Sequence, residues 1–147
     1  MLPAAIAGIL ARISDMTLFL NPKEESYRRF GSCKAPRYIS WSAENRSQLI
    51  RVPAAEGEYR RAELRSPDAL CNPYLAFALL IRAGMEGIAR EAQLPPAADL
   101  NLFTVPEEVR RRYALLPETL AAAKAAAADS DFIKENLPES VLEYYVN

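Results

Sequence analysis

Three features of the chain predict an α+β domain, a short antiparallel sheet packed with helices. Apolar residues at Ile6, Ile9, Leu10, Ile13, Met16 and Leu20 keep the three-to-four spacing of a helix packed on a core. Three short runs between 37 and 65 are rich in Tyr, Ile, Val and Trp and are separated by polar turns. Helical patterns then occupy the chain from Pro73 onward. With 147 residues, half of them hydrophobic, the chain has the length for one domain with a real core.

The first helix is predicted from Pro3 to Leu20 and ends at Asn21-Pro22, because a residue before proline avoids the helical region. Residues 21–36 are polar, hold Gly31 and Ser32, and read as a mobile loop of functional length. Strands are predicted over Arg37–Ser42, Arg46–Val52 and Tyr59–Arg65, in an antiparallel meander. Ser66-Pro67-Asp68 closes the third, and Asn72-Pro73 carries the N-cap and first-turn chemistry of a new helix running to about Gln93. Its first half, Tyr74 to Ile81, is apolar on every side and predicts the most buried helix, while Gly84 and Gly87 offer surfaces for close backbone approach. Beyond Pro95-Pro96, Thr104 and Glu107 form a capping box, with Pro106 inside it, that opens a short helix through Val109, Arg112 and Tyr113. An alanine-rich helix from Pro117 to Ala128 follows, then one or two helices over 130–147 interrupted at Pro138.

Composition excludes several kinds of function. The 18 basic and 19 acidic residues nearly cancel, so no global field gathers nucleic acid or an anionic membrane. Without histidine, Ser-His and Cys-His catalysis are excluded, and chemistry must run on carboxylates, lysines, arginines or a metal. Cys33 and Cys71 match neither a zinc nor a redox spacing and read as reduced, structural thiols. Met1 to Ala11 is apolar but lacks the basic segment of a signal peptide, and Arg12 and Asp15 interrupt any membrane span. A cytoplasmic, soluble protein is the expectation.

The chemistry concentrates in arginines. On an extended strand Arg61, Glu63 and Arg65 share one face, about 6.5 to 7 Å apart, which places a carboxylate between two guanidiniums. Such neighbours hold Glu63 ionised and offer forks for carboxylate or phosphate oxygens, although a solvent-facing charge ladder has the same pattern. Arg46 and Arg51 bracket the preceding strand, Arg28 and Arg29 sit in the long loop, and Arg60 adjoins Arg61. Arg46 and Arg51 are an odd number of residues apart. They face one pocket only if Arg46 sits in the turn or a bulge intervenes. A basic cluster in a near-neutral protein suits a substrate with several negative charges, such as a nucleotide with a dicarboxylate.

The order of segments carries a resemblance. Ala7-Gly8-Ile9-Leu10, Asn21-Pro22, Ser26-Tyr27-Arg28-Arg29, Ala35-Pro36, Tyr38-Ile39-Ser40-Trp41-Ser42, Asn45-Arg46-Ser47, Ile50-Arg51-Val52-Pro53, Glu63 to Asp68 and Asn72 to Phe77 together resemble the bacterial type I glutamine synthetases, in the C-terminal part of their catalytic domain. The resemblance implies an ATP-dependent ligase that forms gamma-glutamyl phosphate and lets ammonia displace the phosphate, assisted by Mg or Mn. It also implies residue roles: Arg29 and Arg65 hold glutamate, Arg46, Arg51 and Arg61 neutralise ATP and the transferring phosphoryl group, and Glu63 is a metal ligand. The catalytic positions are then Arg46, Arg51 and, in the flap, Lys34.

This chain departs from the family's pattern in three ways. Lys34 stands where the family's flap glutamate binds and deprotonates ammonium; a positive side chain there repels ammonium, so either another amine or none is used, the loop is shifted by a residue, or catalysis has been lost. Phe103, in Asn101-Leu102-Phe103, occupies the position of a tyrosine that is adenylylated in some members, which implies that this switch is absent. By the same resemblance, most metal ligands and much of the nucleotide pocket lie in upstream sequence, so the isolated chain is expected to be inactive and to bind neither ATP nor metal tightly. Helix faces and sheet edges normally covered by that part predict self-association or homo-oligomers. The alternative is a stand-alone, non-catalytic module that binds nucleotide or acidic metabolites or joins a full-length synthetase.

Overall fold

A computed structural model describes residues 1–31 and 35–147, so Cys33 and Lys34 lie outside the described residues. Helix α1 spans Leu2–Leu20, with proline in its first turn, as the apolar spacing predicts. It is long and apolar enough to cross a bilayer, but it carries Arg12 and Asp15 and half of it is buried within the fold. Ile13, Met16, Phe19 and Leu20 are fully enclosed and form the centre of the core with Leu49, Leu79 and Ile133.

α1 packs most extensively on helix α3, Pro73–Ala89, and next on α5, Leu120–Asp129. Asn72 caps α3 as predicted, its side chain accepting from the Tyr74 amide at 3.0 Å. Between α1 and α3 the backbones meet at Gly8 and Gly87, so one of the two predicted small residues, Gly87, marks the approach. The expectation that α3 is the most buried helix is corrected: Leu79 and Ala83 are enclosed, but Tyr74, Phe77, Ile81 and Met85 are 84, 64, 63 and 57% exposed. α3 meets the described chain along one side only, and its apolar opposite side forms a stripe at helical spacing.

A forked ion pair also ties these helices, with Arg12 Nε and Nη2 donating to Glu86 Oε2 and Oε1 at 2.8 and 2.7 Å. Arg12's hydrogen bonds hold the Glu86 carboxyl below its ordinary range. A carboxyl depressed by folding stabilises the fold above its unfolded value, about 4.3, and that contribution is lost as pH falls through the folded value. Arg12→Met should therefore lower stability by about 1 kcal/mol at pH 6 and by less at pH 3, read from urea midpoints. An equal loss at both pH values would contradict this linkage.

The segment read as a loop contains a short helix, α2, Glu24–Arg28. The sheet is smaller than predicted: β1 Trp41–Ser42, β2 Ile50–Arg51 and β3 Glu63–Leu64, in that order. β2 and β3 are antiparallel, but β1 and β2 are parallel, with Trp41 beside Ile50, so the meander is corrected at its first step. The reason lies in residues 43–49. Asn45 Oδ1 accepts from the Ser47 amide and hydroxyl at 2.9 Å, and buried Gln48 donates to the Leu100 carbonyl at 2.7 Å. These anchors carry the chain around so that it re-enters the sheet in its original direction. Residues 37–39 pair instead with 114–116, Tyr38 bridging Leu115 antiparallel. Residues 57–59 form a 3-10 turn rather than the start of the third strand.

The later helices are α4 Glu107–Arg110, α5, α6 Asp131–Asn136 and α7 Glu139–Val146, with the break at Pro138 where the sequence places it. The predicted capping box does not form. Thr104 Oγ1 donates to the Asn101 carbonyl, and α4 begins after Pro106 without a side-chain cap. Thr119 caps α5 and Ser130 caps α6, accepting from Ala122 and Ile133 amides.

Candidate active-site platform

The antiparallel register of β2 and β3 sets Arg51 directly opposite Glu63, and the period of two along an extended chain returns Arg65 to the Glu63 face. Arg51 Nη2 and Nε donate to Glu63 Oε2 at 2.6 and 3.1 Å, and Arg65 Nε donates to Oε1 at 3.1 Å. One carboxylate thus holds two guanidiniums in fixed orientation. Hydrogen bonds from Arg51 outweigh the opposing burial and, with Arg65, hold the Glu63 carboxyl below its ordinary range. The two arginine side chains retain 19 and 12% of their exposure and Glu63 retains 40%, so the carboxylate stays open to solvent.

Neighbouring loops complete the platform. Arg46 sits in the turn before β2 with its side chain exposed, the first of the two arrangements its odd offset from Arg51 allows, and its carbonyl accepts from Arg65 Nη1. Arg29 Nη2 donates to the Ser66 carbonyl at 3.2 Å, and Asn21 Nδ2 donates to the same oxygen at 2.8 Å. Ser26 Oγ donates to Asp68, whose amide donates to the Leu20 carbonyl at 3.1 Å. The motifs at 21–29 and 66–68, far apart in sequence, therefore lie side by side at the end of β3.

Arg61 precedes β3, is exposed, and donates to its neighbour's Tyr59 carbonyl at 3.4 Å. Its expected alignment with Glu63 and Arg65 needs a strand two residues longer than the one present. Arg28 and Arg60 are exposed on the surface. Lys34 belongs to the undescribed segment. Sequence reasoning missed Gln48, whose full burial and bonds to Ser40 and Leu100 hold the Arg46 turn. A glutamine between serine and leucine at a strand entry carries no pattern that would have singled it out.

These residues do not by themselves make a metal centre. Both Glu63 oxygens accept from arginine, and no group of three or more His, Cys, Asp or Glu able to hold a metal ion occurs among the described residues. The half-buried Cys71 thiol has its acidity reduced by burial first and then by Asp68, as suits a structural cysteine.

The family model described as glutamine synthetase, catalytic domain, matches residues 1–147. A glutamine synthetase of Methanosarcina mazei is 44% identical over 144 residues, 96% of this chain and 32% of the relative. One from Thermus thermophilus is 41% identical over the same shares. Among solved structures, GmaS in complex with ADP superposes with a TM-score of 0.83 at 26% identity, covering 97% of this chain and 34% of that one. GmaS without ligand gives 0.82 at 27% identity. The chain thus spans about a third of the length of the curated relatives it matches. With family model, sequence relatives and α+β architecture in agreement, the chain belongs to the glutamine synthetase catalytic-domain family and corresponds to its C-terminal part.

Proposed function

We propose that this chain supplies the cationic part of a glutamine synthetase active site, for ATP-dependent ligation of ammonia to glutamate in the cytoplasm. The observation that carries the reading is the Arg51–Glu63–Arg65 network, a pair of guanidiniums oriented before any substrate arrives. In that reaction a glutamate side-chain oxygen attacks the terminal phosphorus of ATP and ADP leaves. Ammonia then displaces phosphate from gamma-glutamyl phosphate, losing a proton as the amide forms. Arg51, with Arg46 and Arg61, meets charge on the phosphates, while Arg65 and Arg29 meet glutamate's carboxylates. Mg or Mn serves this chemistry in such synthetases, but the residues present here do not fit a complete metal site, and Glu63 offers one carboxylate.

The isolated chain, on this reading, neither ligates nor binds ATP tightly, and the exposed α3 stripe drives self-association or is covered in an assembly. Exchanging the matching third of the M. mazei synthetase for this chain tests the proposal. The chimera should form glutamine with release of ADP, and the 147-residue chain alone should not. A chimera that folds and assembles yet turns over no ATP would instead favour a non-catalytic module.

A further inference from the structure

A second cluster of arginines lies outside the platform. Pairing of 37–39 with 114–116 brings Arg37 and Tyr38 against α4 and the turn that follows it. Between them is an open cleft of about 490 Å³ lined by Arg37, Tyr38, Glu107, Arg110, Arg111 and Tyr113, and it includes none of the platform residues. That volume is within the usual range for a small-metabolite site.

Its electrostatics are unbalanced. Arg37 pairs with Glu118, and Arg111 Nη2 pairs with Glu107 at 2.7 Å. Arg110 makes no ion pair among the described residues, which leaves one uncompensated positive charge on the cleft wall. The Nε groups of Arg37 and Arg110 are both buried with no acceptor among the described residues. Both Nε atoms are closed off from water, so a ligand in the open cleft would be met by the terminal Nη groups of the two forks. The aromatic rings give the cleft flat walls, with the Arg37 guanidinium 5.9 Å from the Tyr38 ring centroid.

We propose that this cleft binds the oxyanion group of a small metabolite, a phosphoryl or carboxylate group, with Arg110 and Arg37 as its donors. Guanidinium forks match either group bidentately, and the open cleft admits the ligand without moving the backbone. The paired strand segment on one side and α4 on the other hold the two donors at a set separation before binding.

Titration of the 147-residue chain with inorganic phosphate, and separately with citrate, at constant ionic strength tests this, followed by NMR of the arginine Nε–H groups. Saturable shifts of the Arg37, Arg110 and Arg111 signals are expected, with the affinity read at those signals at least about tenfold weaker in Arg110→Met and unchanged in Arg82→Met, an exposed arginine of α3 outside both clusters. Tighter binding of phosphate or of citrate identifies the source of the oxyanion, and either supports the site. Arg110→Lys keeps the charge but loses the fork, and should weaken binding even if the methionine variant fails to fold. Shifts at those signals that never saturate, or an affinity there that neither Arg110→Met nor Arg110→Lys weakens, overturn the proposal.

Discussion

Gly87→Val should destabilise the chain by at least about 3 kcal/mol, a large share of the stability of a domain this size. A Cβ at Gly87 would stand 2.2 Å from the Ala4 carbonyl oxygen and 2.7 Å from Gly8 Cα. A Cβ at Gly8 would meet the Ala83 carbonyl oxygen at 2.2 Å and Gly87 Cα at 2.7 Å. The obstacles are backbone atoms of the facing helix, so no rotamer change relieves them. The helices must separate, opening the layer around Leu79 and Ile13, where lost volume is expensive. Gly84→Ala is the control. A Cβ there finds its nearest neighbour at 3.7 Å, an ordinary contact, and alanine favours the helix by about 0.5 to 1 kcal/mol. Urea unfolding should therefore separate the two variants in opposite directions. Equal effects would mean that the close crossing at Gly8 and Gly87 does not exist in solution.

Glu63→Gln should reduce glutamine formation by the chimeric synthetase roughly 10²- to 10³-fold, the scale of losing a group that orients charge stabilisation. The substitution keeps the side chain's size and removes its charge. Arg51 and Arg65, each with four-fifths or more of its side chain enclosed, then face each other across a neutral amide. Their forks lose the shared acceptor that aims them, and mutual repulsion turns them outward. Because Glu63 itself is 40% exposed, the effect on folding should be small, and urea midpoints measured beside the rates distinguish the two. Undiminished turnover in a folded variant would remove Glu63 from the active platform.

Local chemistry made much of this fold legible. The α1 boundaries, the Asn72 cap with Pro73 behind it, the stop at Pro138 and the Glu63–Arg65 face each depend on residues within a turn or two of one another. Three of the motifs that carried the family resemblance, Asn21-Pro22, Ser26 to Arg29 and Glu63 to Asp68, meet at the end of β3. The Arg46 alternative was legible only as a pair of choices, and the turn at Asn45 and Ser47 decided it.

The α+β class, most of the helices, the near-neutral net charge and the arginines from which the platform is built are all legible in the sequence. Tertiary structure alone decided the parallel pairing of β1 with β2, the bridge from Tyr38 to Leu115, the exposed side of α3 and the cleft at Arg37 and Arg110. The division has a physical cause. Periodicity and caps act over a few residues, whereas a pairing between distant segments depends on where buried anchors such as Gln48 send the intervening chain. An apolar helix pattern states that a face prefers burial, and only the packed chain shows which face has a neighbour.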